Sequence, residues 1–157
     1  MKIKTVLLKL VTAIIDLFVL FFCFTLTMGT ISSIKEGSTF GLQTLTASSL
    51  FLGCLVIFGI SYYLFRIFFL IDRRDFFSKI ALHAVKMIRY LFIAEFVILL
   101  GIMPFVYYTA DHGDAPGLII IVGAVVFLPL AIATFVYTME QILDNSIKMK
   151  DENDLTI

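Results

Sequence analysis

The sequence is poor in charge, in cysteine and in proline. Charged residues make up 15% of the 157 positions and hydrophobic ones 61%, whereas soluble domains carry roughly 25% charged residues. A soluble core of this size cannot hide such a surplus, so the bilayer is the solvent for much of it. The two cysteines, Cys23 and Cys54, both fall inside apolar runs. That excludes a disulfide framework and leaves them as small buried hydrophobes. No Cys/His set has the spacing of a zinc site. No Asn-x-Ser/Thr acceptor occurs, and no Ala-x-Ala cleavage site follows the first apolar run. A Walker loop, a HExxH helix, a serine nucleophile elbow and a GxGD protease motif are all missing as well. With none of these chemistries in place, the sequence predicts no enzymatic activity, no cofactor and no metal.

What is there is a succession of greasy runs. The first, Val6 to Met28, is 23 residues long, too long for a signal-peptide core and long enough for a retained helix crossing about 30 Å of hydrocarbon. Gly29 to Thr46 reads as a loop by its Gly, Ser and Thr content. A second span covers 47–71, a third 87–108 and a fourth 117–139. Pro104 and Pro129 predict kinks, tolerated because neighbouring groups satisfy the freed carbonyl. Asp111-His112-Gly113-Asp114 makes a polar turn with too few ligands for a cation. Residues 140–157 form a polar tail, helical at first through Ile142, Leu143 and Ile147, with Asp151 to Ile157 leaving the helix. The fold class is therefore all-α: one domain, a polytopic membrane protein with four transmembrane helices in an antiparallel bundle.

Basic residues are nearly absent from one side of those spans. Lys35 stands there alone, against eleven on the other side: Lys2, Lys4, Lys9, Arg66, Arg73, Arg74, Lys79, Lys86, Arg89, Lys148 and Lys150. By the positive-inside rule both termini and the connector from Arg66 to Tyr90 are expected to be cytoplasmic. Within the connector, Asp75 is a candidate N-cap. Phe76, Ile80, Ala84, Met87 and Leu91 share one helical face, and Lys79, His83, Lys86 and Tyr90 share another. Arg73, Arg74, Lys79, Lys86 and Arg89 are expected to bind the anionic leaflet, each worth about 1 kcal/mol, or a cytosolic partner.

Four ionisable residues fall within or beside the spans: Asp16, Arg66, Glu95 and Glu140. Charge in hydrocarbon costs roughly 2.5–3.5 kcal/mol on insertion scales, so each should face protein or a water-filled cavity. They are expected to form a polar cluster in the cytoplasmic half of the bundle. Arg66 pairs there with Glu95 or Asp16, or else extends to the headgroups. A proton or ligand site is the sharper reading of the same residues.

The tail Glu152-Asn153-Asp154-Leu155-Thr156-Ile157 and the turn Asp75-Phe76-Phe77-Ser78 resemble motifs of the bacterial membrane protein family catalogued as domain of unknown function 2975. Its members have four spans, a turn of the Asn-Pro-Phe-Ser type and an ending close to this one; the turn's proline is missing here. The resemblance implies no chemistry. It implies a cytosolic partner, a small helix-turn-helix regulator of the Xre type, because genes for such regulators lie beside family members. The tail Asp151, Glu152, Asn153, Asp154, Leu155, Thr156 and Ile157 would be the recognition segment, adding as an extended strand or seated in a groove. Direct binding of nucleic acid is not expected, since no DNA-reading module is present. Self-association into a homo-oligomer is compatible with the sequence. The alternative function is a small proton-coupled transporter or immunity-type protein using Asp16 and Glu95. Small multidrug exporters share four spans and an acid in the first, but their short loops fit the 29–46 segment and the tail poorly.

Overall fold

The computed structural model describes residues 2–35, 37, 41–73 and 75–154, and they are almost entirely helical. The elements in chain order are α1 (Lys2–Lys35), α2 (Gly41–Asp72), α3 (Lys79–Leu99), a 3₁₀ turn (Leu100–Ile102), α4 (Met103–His112) and α5 (Gly117–Asp154). Taking α3, the turn and α4 as one crossing, four helices are long and apolar enough to span a membrane. At 1.5 Å per residue the 34, 32 and 38 residues of α1, α2 and α5 reach about 51, 48 and 57 Å. These lengths exceed the hydrocarbon thickness, so the helices project beyond it.

The excess length comes from segments whose composition reads as loop. Hydroxyl side chains that compete with a helix in water here return their hydrogen to it. Thr27 donates to the Cys23 carbonyl at 2.8 Å, Thr30 to Leu26 at 2.7 Å, Ser32 to Met28 at 3.0 Å and Thr46 to Leu42 at 2.9 Å. Each polar side chain is thereby satisfied within its own helix. The 29–46 loop thus contracts to the few residues between Lys35 and Gly41.

The connector between α2 and α3 is also tighter than the sequence suggests. Ser78, not Asp75, caps α3: its Oγ accepts from the Ala81 amide at 3.3 Å. Lys79, His83, Lys86 and Tyr90 are exposed as expected, but Ile80 is exposed too. The buried stripe is Ala81, Ala84, Val85 and Ile88.

Helix pairing follows chain order. α1 packs chiefly on α2, α2 on α3, and α3 on α5, with α4 against α5. α3 is therefore flanked on both sides, while α1 has one main neighbour. The core gathers Ile60, Ile67 and Leu70 of α2, Ala81, Ala84, Val85 and Ile88 of α3, and Leu143 and Ile147 of α5. All lie toward one end of the bundle, where α2 ends, α3 begins and α5 finishes. Lys9 of α1 meets Asp72 at that same end. The helices thus alternate in direction, and the start of α1 and the end of α5 lie at the same end of the bundle.

One break shapes the far end. The third crossing changes from α-helix to 3₁₀ turn at Leu100–Ile102, just before Pro104, where a proline has no amide to offer the preceding turn. α5 runs through the buried Pro129 as one continuous helix. Gly101 lets this break sit against α2, because a Cβ there would collide with the Ser49 hydroxyl. Gly101→Ala is expected to lower stability by about 1–3 kcal/mol, the usual cost of overpacking. Adding Ser49→Ala should recover most of the loss. Thermal unfolding in detergent of the two variants and the parent checks both expectations.

Candidate functional site

The sequence of α1 carries lysine and aspartate at a seven-residue separation, Lys9 and Asp16. Two turns of helix put both on the side that faces α2. Lys9 pairs with Asp72, both side chains about one-third exposed. Asp16 accepts a hydrogen bond from the buried Ser61 hydroxyl at 2.5 Å. A neutral donor on α2 thus partners the acid of α1. Farther along the seam, Cys54 is buried with Cys23 and Glu95 as near neighbours, and both cysteines are free thiols.

Glu95 comes from α3 and is the most unusual group in the protein. It is 5% exposed, and its Oε2 is sealed from solvent with no hydrogen-bond partner. Its carboxylate reaches past α2 at Gly53, where a Cβ would stand 2.9 Å from Oε1. Beyond it opens a groove of about 560 Å³ between α1 and α2, with Val19 and Phe22 on one wall and Gly53 and Ile57 on the other. The lining is otherwise apolar and includes Leu99 one turn along α3. A carboxylate in such surroundings has every reason to find a cation or a proton.

A second polar locus lies between α3 and α5. Arg89 Nη1 approaches Glu140 Oε2 at 3.1 Å, and the two side chains are 15% and 13% exposed. The Arg89 guanidinium also lies 4.7 Å from the Tyr90 ring centre and 5.0 Å from that of Tyr137. Arg89 Nε and Glu140 Oε2 nevertheless make no hydrogen bond of good geometry. The contact is ionic, held by proximity and by two aromatic faces.

Comparison with known proteins gives the family. The model of a family described as protein of unknown function (DUF2975) matches residues 6–157. The chain belongs to this family. It is 33% identical over 96 residues to the uncharacterized membrane protein YoaS of Bacillus subtilis (strain 168), covering 61% of this chain and 60% of that one. The alignment therefore spans less than two-thirds of the relative's length. No solved structure matches.

Against this frame of four spans, the expected cluster of Asp16, Arg66, Glu95 and Glu140 does not form. Asp16 stands level with Ser61 and Glu95 level with Gly53, eight residues or about 12 Å apart along α2. Glu140 is taken by Arg89. Arg66 is exposed and joins no ion pair among the described residues. At 100° per residue it points roughly 100–140° away from the buried Ile60, Ser61 and Ile67, and Gly53 is thirteen residues away, about 20 Å. It pairs with neither predicted partner; extension to the headgroups is the expectation that fits its exposure.

Of the connector cations, Arg73 lies over the Phe69 ring at 4.2 Å and Lys79 and Lys86 are exposed. Arg89 is mostly buried, which its place in a basic run concealed. Arg74, Leu155, Thr156 and Ile157 lie outside the described residues, as do the side chains of Asp151, Asn153 and Asp154. The backbone from Asp151 to Asp154 is helical, which corrects the expectation that the chain leaves the helix at Asp151. Among the described residues no three His, Cys, Asp or Glu side chains are placed to hold a metal ion.

The Arg89–Glu140 pair sets up a discriminating stability test. Glu140→Ala leaves a buried guanidinium uncompensated and should cost about 3–5 kcal/mol. Arg89→Met with Glu140→Leu should come within about 1 kcal/mol of the parent, or exceed it, because the pair is incompletely hydrogen-bonded. Lys9→Ala, at a pair one-third exposed, should cost no more than about 1 kcal/mol. Unfolding midpoints in detergent rank the three.

Proposed function

We propose that this protein is a non-enzymatic, multi-pass protein of the bacterial inner (cell) membrane that holds or modulates a cytosolic partner. The partner class is the one the family resemblance implies, a small helix-turn-helix regulator of the Xre type. The observation that carries the proposal is the bracing of α5. This helix leaves its apolar run after Met139 and continues to Asp154, with Leu143 and Ile147 packed on the first turns of α3. The segment that projects from the bilayer is thus fixed to the membrane core.

The orientation follows from the cation tally. Eleven Lys and Arg share the end with the termini and Lys35 stands at the other, so the projecting end of α5 faces the cytosol. The exposed Lys79 and Lys86 face the same compartment beside the anionic leaflet. What this end offers a partner is helical up to Asp154, with Ile142, Met149, Lys148 and Lys150 exposed. A groove that receives an amphipathic helix suits that surface better than addition to a sheet edge.

Two measurements test the proposal. Reporter fusions should place Gly113 outside the cell and the C-terminus inside; the reverse placement removes the cytosolic partner. Deleting Asp151 to Ile157 should abolish co-purification of the genomically adjacent helix-turn-helix regulator while insertion stays normal. Equal recovery with the truncated chain would reject the tail as the recognition segment.

A further inference from the structure

We propose that the groove beside Glu95 is a binding site for a lipophilic, singly charged organic cation that enters sideways from the bilayer. The inference stands independently of the cytosolic partner and holds whether the cation is sensed or carried. It begins with a carboxylate that has no counter-charge among the described residues. Arg66 is about 20 Å away along α2 and on its far side; Arg89, six residues back on α3, is engaged with Glu140 and two tyrosines.

The walls choose among cations. A hard inorganic ion requires several oxygen ligands, and this groove presents one carboxylate among apolar side chains. The described residues contain no acid, histidine or cysteine trio suited to a metal. An organic cation needs one charge partner, an apolar enclosure and, where available, an aromatic face; Glu95, Val19 and Ile57, and Phe22 provide these in turn. Gly53 keeps the carboxylate open to the groove, since any side chain there would meet Oε1.

The route in is lateral. Phe18 and Phe21, which also line the groove, are 69% and 67% exposed on the lipid-facing side of α1. A solute dissolved in the hydrocarbon therefore reaches Glu95 by slipping past one helix. A neutral lipid chain could fill the same volume without using the carboxylate, and this is the competing occupant.

The test uses the full chain in nanodiscs of zwitterionic phosphatidylcholine, which adds no surface charge of its own. Radiolabelled tetraphenylphosphonium is the probe and uncharged triphenylphosphine oxide the competitor. The parent should bind the probe saturably and ignore the neutral competitor. Glu95→Gln should weaken binding by about tenfold or more, as loss of one partner of a desolvated charge pair does. Val19→Trp, which fills the groove from α1 and leaves the acid in place, should do the same. Arg66→Gln should leave binding unchanged. Probe uptake equal in the parent and both groove variants, or effective competition by the neutral compound, would overturn the proposal and assign the groove to lipid. If Glu95→Gln fails to fold, Val19→Trp alone decides, since unchanged affinity in that variant is equally fatal.

Discussion

Ala81 and Ala84 have no exposed surface, and the close approach they permit is the contact on which the rest of the structure depends. A methyl group at each position allows α2 and α5 to close on α3 from both sides. In a lipid environment apolar association gains little from the hydrophobic effect, so packing at short range has to hold helices together. Larger residues at either position would push the flanking helices outward and loosen the contacts of Leu143 and Ile147. Without those contacts the last turns of α5 would be a solvated helix with little reason to hold a fixed direction.

This packing is uneven along the bundle, and the unevenness locates both polar sites. Near the end that carries the termini, three helices share one core, and the Arg89–Glu140 pair lies in the α3–α5 interface. α1 lies outside that core and presents Leu7, Leu17, Phe18 and Phe21 to its surroundings. Where α1 runs beside α2 a groove remains, backed by Glu95 and Leu99 of α3, and Glu95 opens into it. The isolated acid thus occupies the least constrained seam of the bundle, and the ion pair one of the tightest.

The four crossings and their alternation were legible in the sequence because they depend on run length and on cation placement, which need no knowledge of neighbours. Helix ends were not, because Ser and Thr at 29–46 look like loop residues until their hydroxyls are seen to bond the carbonyl one turn back. The site was harder still. A helix apolar on all sides has no polar face to mark which way it points, so Arg66, Asp16 and Glu95 could be given a depth and no azimuth. Depth alone suggested a cluster; azimuth separates its members. Arg89 was missed for the converse reason: five other basic residues between Arg66 and Lys86 made it look like one more headgroup ligand. Its spacing of four residues from the apolar Val85, which is buried, was the available signal that it faces protein.

Glu95 and Arg89 share one helix, six residues apart, and that shared rigidity constrains how the two ends of the protein can communicate. An α-helix transmits displacement along its axis without appreciable compression, and α3 is held at its first turns by α2 and α5 together. A body entering the proposed groove meets α1 on one side and the α2–α3 pair on the other. α1 is the lighter partner, because its main support is α2 alone. Its movement would be felt first at Asp16–Ser61 and then at Lys9–Asp72, two of the polar contacts that tie α1 to α2. Lys9–Asp72 lies at the same end as the projecting part of α5. Any signal passing from the groove to that end is therefore better carried by a shift of α1 against α2 than by deformation of the α3–α5 clamp, whose buried pair resists sliding because each charge would lose its counterion.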